Sequence, residues 1–240
     1  MSLPKVNTPV YETVLPSTGT VIKYRPFLVK EEKILLTAME AEDDKVVSNA
    51  VNQIIKNCVQ GNIKVKELPT FDIEYLFLRL RAKSVGEKVT VGLKPWGCPN
   101  NEGKLCENTT EVEINLEEVK VDKKKAPSPK IMLDDKIGIK MRYPDINTIN
   151  LSGTTSEAAG MDVIRGCVDM IFTGEDTHER DSFTDEELDE FIDSLNSQQF
   201  KLIKDFFDNM PVLKHTVKYK CNTCGEKKET TLQGLNSFFG

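Results

Sequence analysis

The chain has 240 residues, 39% of them hydrophobic and 29% charged, with a formal net charge of −6. That length buries a sizeable core as one large domain or two small ones. The acidity argues against nucleic acid as a main partner, because a grip on its backbone needs clustered Lys and Arg.

No window approaches the run of about eighteen apolar residues that a membrane span requires. The opening MSLPKVNTPVYETVLPSTG also lacks the apolar core of a signal peptide. Folding in a reducing cytoplasm is therefore expected, where the six cysteines read as metal ligands or buried thiols rather than disulfides.

Residues 1–20, rich in Pro, Thr and Ser, read as an extended N-terminal arm. Val21 to Phe27 alternates as a short strand ended by Pro26, and Lys30 to Glu42 carries Ile34, Leu35, Ala38 and Met39 at helical spacing. A second helix places Val47, Val51, Ile54 and Cys58 on one stripe, with Glu42-Asp43-Asp44 capping its start. Pro69-Thr70 opens a third helix with Phe71, Tyr75, Leu78 and Ala82 as its face, although Phe71, Ile73, Tyr75 and Phe77 also alternate as a strand would. Val89 to Leu93 is a strand running toward Cys98.

The same order returns in the second half. Ile139-Lys140-Met141-Arg142-Tyr143-Pro144 echoes Ile22-Lys23-Tyr24-Arg25-Pro26-Phe27, and Val163 to Val168 echoes Ile54 to Val59, which aligns Cys167 with Cys58. His215 to Tyr219 runs into Cys221 as Val89 to Leu93 runs toward Cys98, and a Thr-Thr strand follows each cysteine pair. Thr184-Asp185-Glu186-Glu187 is a capping box for an additional helix, and a helix bearing Phe200, Ile203, Phe206 and Phe207 stops at Met210-Pro211. The fold class expected is α+β, an internal duplication of two helix-and-short-sheet halves. The first repeat spans 21–121, a charged, proline-bearing linker spans 122–136, and the second repeat spans 137–240.

The cysteines join the halves. Cys221-Asn222-Thr223-Cys224-Gly225 is a CxxC knuckle, and Cys98 and Cys106, in WGCPNNEGKLC, form a second, more widely spaced pair. Four thiolates from two strand-flanked loops fit one tetrahedral structural zinc with no open position for catalysis. Surface thiols and a redox CxxC are the competing readings, but a thioredoxin-type CxxC opens a helix after an apolar strand, whereas this one lies between charged strand residues. Cys58 and Cys167 sit on apolar stripes and read as buried thiols. His178 lies in a polar loop and reads as solvated; His215, near Cys221, reads as a strand residue or a group behind the metal ligands.

No phosphate-binding glycine loop, GxSxG elbow, HExxH or nucleophile–histidine pairing is present, and two histidines give little acid–base equipment. The run Asp185 to Glu190 is the acidic first turn of a helix. The chain reads as a non-enzyme.

Tyr24 to Lys33 (YRPFLVKEEK), preceded by Leu15-Pro16-Ser17-Thr18-Gly19, resembles the baseplate hub assembly protein family of T-even-like contractile-tailed phages. The cysteine knuckles and the length are similar to that family as well. The resemblance implies a non-enzymatic protein that builds the central hub of the tail baseplate by contacting other hub or baseplate proteins. It would act in the host cytoplasm during tail assembly, either leaving as a chaperone or staying in the virion. It also implies Cys98, Cys106, Cys221 and Cys224 as metal ligands and the Arg25 to Lys33 segment, with Arg25, Phe27 and Lys30, as a structural or contact element. The alternative function is a zinc-ribbon adaptor for nucleic acid or a host transcription component. Phe238 and Phe239, near the end of the sequence, either close the protein's own core or anchor a hub partner.

Overall fold

The computed structural model describes residues 7–41, 43–94, 106, 109–123, 125–151 and 157–238. In chain order the elements are β1 (Tyr11–Val14), β2 (Val21–Tyr24), α1 (Val29–Glu40), α2 (Asp44–Cys58), β3 (Val59–Gln60), α3 (Thr70–Ser84), β4 (Lys88–Leu93), β5 (Thr110–Asn115) and β6 (Lys120–Asp122). There follow β7 (Lys130–Met132), β8 (Ile137–Met141), α4 (Ile146–Leu151), α5 (Glu157–Cys167), β9 (Val168–Thr173), β10 (Asp176–Glu179), α6 (Asp185–Asp193), α7 (Ser197–Asp208), β11 (Val212–Lys220) and β12 (Lys227–Gln233). The mixture of helices and small antiparallel sheets is α+β, as expected.

Two compact units result, one of residues 1–65, 71–122 and 212–240, the other of 66–70 and 123–211. One change of unit comes at 122–123. The expected 137–240 repeat is not one compact unit, because β11 and β12 belong to the first unit: β11 pairs with β6 there, with Leu213 opposite Val121. The linker itself contains β7, an edge strand paired with β8.

In the first unit, β1, β2 and β3 form one sheet, with Tyr11 opposite Tyr24 and Val14 opposite Val21. The expected 1–20 arm is thus a paired strand from Tyr11 onward. Its turn is fixed because Ser17 donates from its backbone N–H, at 3.0 Å, and from its hydroxyl to the buried Asp72 carboxylate. The ambiguous third segment is a helix. Its Phe71, Ile73, Leu76, Phe77, Leu78 and Leu80 are all buried, so apolar residues recur at both helical and strand spacing. One core joins Leu78 and Ala82 of α3 to Val91 and Leu93 of β4, Ile114 of β5, Leu213 and Val217 of β11 and Leu232 of β12.

The second unit covers the four-stranded sheet β10-β9-β8-β7. Its core joins Ile139 and Met141 to Ile164, Leu188, Ile192, Ile203 and Phe206, with Tyr143 stacked on Phe206 at 5.3 Å. The predicted capping box is formed: Thr184 accepts from the Glu187 N–H at 3.2 Å and Glu187 accepts from the Thr184 N–H at 2.8 Å. Gly138 lies opposite Phe172, whose ring occupies the space of a side chain; a Cβ there would strike the ring and approach the Ile131 carbonyl oxygen to 2.9 Å. Gly138→Ala is expected to destabilise this unit by about 1–3 kcal/mol, read as a lowered urea midpoint.

The two echoing segments are built alike. The Arg25 N–H donates to the Cys58 carbonyl at 3.0 Å, and the Arg142 N–H donates to the Cys167 carbonyl at 2.7 Å. The Arg25 guanidinium reaches the Asn57 carbonyl at 3.1 Å and buried Glu31 at 3.0 Å. That of Arg142 reaches the Gly166 carbonyl at 3.0 Å and buried Asp145 at 2.9 Å. Each carboxylate also accepts a backbone N–H at the start of the next helix, from Leu28 and from Thr148, both at 2.9 Å. Burial alone would raise the Glu31 carboxyl, but Arg25, the Leu28 N–H and Lys30 outweigh it and hold it below the ordinary range.

Cys58 and Cys167, the helix-ending partners in this pattern, are both buried. Burial pushes the Cys58 thiol up to about 11 and the Cys167 thiol up to about 12. At neutral pH a bulky maleimide is expected to label both on the order of a hundredfold more slowly in native than in unfolded protein, since the thiolate is the nucleophile. Rapid native labelling of either would overturn their placement.

Candidate metal centre

The second knuckle begins where the β11–β12 ladder ends, at the Lys220–Lys227 pair. The chain reverses through Cys221 to Glu226. The Gly225 N–H donates to the Cys221 carbonyl at 2.8 Å, and the Cys221 N–H donates to the Glu226 carbonyl at 2.9 Å. Gly225 has φ 73°, a left-handed conformation that glycine takes without strain. A further bond anchors the turn to the other ribbon: the Asn222 N–H donates to Thr110 Oγ1, at the start of β5, at 3.2 Å.

This arrangement gathers Cys106, Cys221 and Cys224, whose sulfurs all lie within 4.8 Å of one another. Cys106 and Cys221 are buried and Cys224 half-buried. Zinc–sulfur bonds of about 2.3 Å at tetrahedral angles separate sulfurs by about 3.8 Å, so the cluster can hold a thiolate-favoured metal ion with little movement. Cys98, the fourth expected ligand, lies outside the described residues, as does Phe239.

Charge supports the same reading. Lys220 and Lys227 stand directly opposite each other at the base of the knuckle, a like-charge pair that ordinarily destabilises a ladder. Their neighbours are neutralised, Lys218 by Glu229 at 3.6 Å and Lys228 by Glu226 at 3.1 Å, but no acid among the described residues pairs with Lys220 or Lys227. A divalent ion held by the three gathered thiolates would carry a net charge of about −1, and Lys220 and Lys227 bracket the turn that supplies two of them. The CxxC spacing made the knuckle visible in the sequence; the lysine pair and the Thr110 anchor were not, because both depend on strand register.

The remaining expected site residues are dispersed. His215 faces Leu232 at the far end of the ladder from the knuckle, roughly 20 Å away at strand rise, so it does not stand behind the ligands. His178 is exposed on β10 rather than in a loop. Arg25 is held internally as described, Phe27 is buried, Lys30 projects into solvent, and Phe238 is fully buried in the first unit's core.

Among the described residues, no helix is long and apolar enough to cross a membrane. Comparison with curated proteins and with solved structures gives no match. A family model described as T4 bacteriophage base plate protein matches residues 8–240, nearly the whole sequence, knuckle and ribbons included, and the chain belongs to that family.

Proposed function

We propose that this protein is a non-enzymatic hub assembly protein of the phage tail baseplate, acting through contacts with other baseplate proteins as an assembly chaperone, a retained hub component or both. The observation that carries the reading is the family match over residues 8–240. The same match supports a location in the virion tail; assembly in the host cytoplasm beforehand is part of the proposal. Co-expression with the other baseplate proteins of its phage is the test: a stable complex on size-exclusion chromatography is expected, and failure to associate with any of them overturns the role.

Within that role, Cys98, Cys106, Cys221 and Cys224 hold one structural zinc that clamps the β4–β5 ribbon to the β11–β12 ribbon. The protein is an internal duplication, supported by the matched Arg25–Glu31–Cys58 and Arg142–Asp145–Cys167 patterns of hydrogen bonds. The second copy's ribbon packs back with the first copy's.

The competing reading, a zinc-ribbon adaptor for nucleic acid or a host transcription component, is favoured by one feature, the lysines beside the knuckle. Two of those four are neutralised by Glu226 and Glu229, and the net charge is −6. Salt-dependent retention on DNA near neutral pH would favour the adaptor.

A further inference from the structure

The first unit carries an apolar groove of about 520 Å³, walled by α1, α2 and the end of α3 and continued by Leu235. On α1, Leu35, Leu36 and Met39 form its wall, with Val47 and Phe77 across from them. Leu36 is 55% exposed and Met39 50%, and Val85 on the lip is 59% exposed. Leu36 and Met39 are not on the face that holds α1 in the fold; Glu31 and Ala38 supply its buried side, with Leu35 half-buried between the two. An apolar stripe left in water on a helix that already has a buried face marks a contact surface.

The charges at its ends identify the occupant. Glu32 lines the groove at the first turn of α1, and Asp43 lines it just beyond the helix's end, roughly 15 Å away at helical rise. Arg81, the cation in the lining, is turned toward the Gly86 carbonyl at 3.0 Å. Two copies related by a twofold axis would set acid against acid at both ends, so a second copy is not the complement. Taking a benzene-sized site as about 150 Å³, the groove receives three to four leucine- or phenylalanine-sized side chains. That is the set one helix presents at i, i+3 or i+4, and i+7.

We infer that this groove docks an amphipathic helix of another baseplate protein, with an apolar ridge seated against Leu36 and Met39 and a Lys or Arg at each end meeting Glu32 and Asp43. The inference rests on the proposed role in baseplate assembly and adds the chemistry of the partner. Neither Leu36 nor Met39 is in the core, so substitutions there test contact rather than folding.

The experiment places the photocrosslinker p-benzoylphenylalanine at Leu36 or Met39, with Leu202 in the other unit as control, in protein co-expressed with its phage's other baseplate proteins. Crosslinked peptides are sequenced by mass spectrometry. The expected product is a segment of a different baseplate protein with an apolar helical ridge flanked by basic residues, absent from the Leu202 control. L36E/M39E is then expected to weaken that complex at least tenfold at unchanged Tm. E32K should do likewise and be rescued by reversing the partner's facing basic residue; Asp43 is left in place because its carboxylate also caps α2, accepting from the Lys45 N–H at 2.8 Å. A crosslink to a second copy, or to an acidic or non-amphipathic segment, overturns the inference. So does a complex that forms with no crosslink from Leu36 or Met39, which leaves the assembly role standing. Failure to associate with any baseplate protein removes the assembly role, and the inference with it.

Discussion

Cys221→Ser is expected to release the metal and to abolish cooperative unfolding of the first unit. Wild-type protein should contain close to one zinc per chain by metal analysis. Structural zinc contributes an apparent ~10–16 kcal/mol in small zinc-binding folds, against a whole-domain stability of about 5–15 kcal/mol. The loss should be local: Cys221 joins β11 to its turn and, with Cys106 and Cys224, gathers the thiolates beside β5. The second unit has its own core around Ile139, Ile203 and Phe206, so one calorimetric transition should survive in the variant. Full zinc retention by a Cys98→Ser, Cys106→Ser double variant would exclude a site shared by both ribbons.

Phe238→Ala is expected to cost about 3–5 kcal/mol, the range for emptying a buried aromatic site. Phe238 has 0% of its surface exposed and packs with Leu78, Leu213 and Leu232 in the core shared by α3 and the ribbons. The short 3-10 turn that carries it, Leu235–Phe238, is held by the Leu235 N–H donating to Glu74 at 3.2 Å and by Ser237 Oγ donating to the Gln233 carbonyl at 2.6 Å. The pocket therefore cannot close by shifting the turn alone. Of the two roles read for this side chain, core closure is the one its burial serves. Urea unfolding should show the loss, and deleting Phe238 to Gly240 should reproduce it. An unchanged midpoint would show that the turn is dispensable.

Legibility in the sequence followed the range of each interaction. Helices α2, α6 and α7 were visible because caps and apolar stripes are local: Asp43 and Thr184 each accept N–H groups within three residues, and Phe200, Ile203, Phe206 and Phe207 recur at helical spacing on α7. The knuckle was visible for the same reason. Strand β1 was hidden because its Pro-, Ser- and Thr-rich surroundings look like a linker, and its order comes from β2 and from Asp72, far along the chain. Strand β6 and the return of β11 to it were hidden because a strand's partner leaves no mark on its own sequence. The Arg25 to Lys33 segment was visible as distinctive but not in its work: Arg25 and Glu31 are spent on internal bonds, Phe27 and Glu32 line the groove, and its exposed apolar wall at Leu36 and Met39 follows just after.

The second unit's residues 123–211 interrupt the first, whose strands β5 and β6 wait for β11 and whose Cys106 waits for Cys221 and Cys224. On a ribosome, this interruption of about ninety residues takes roughly 5–20 s to synthesise. During that time the inner face of β4 and β5 has no covering ribbon, while the later-made unit has all of its strands and helices in one continuous run and can fold first. The first unit therefore cannot be completed until the whole of the second has been synthesised. A metal ion held jointly by Cys106, Cys221 and Cys224 could be fully ligated only after that interval.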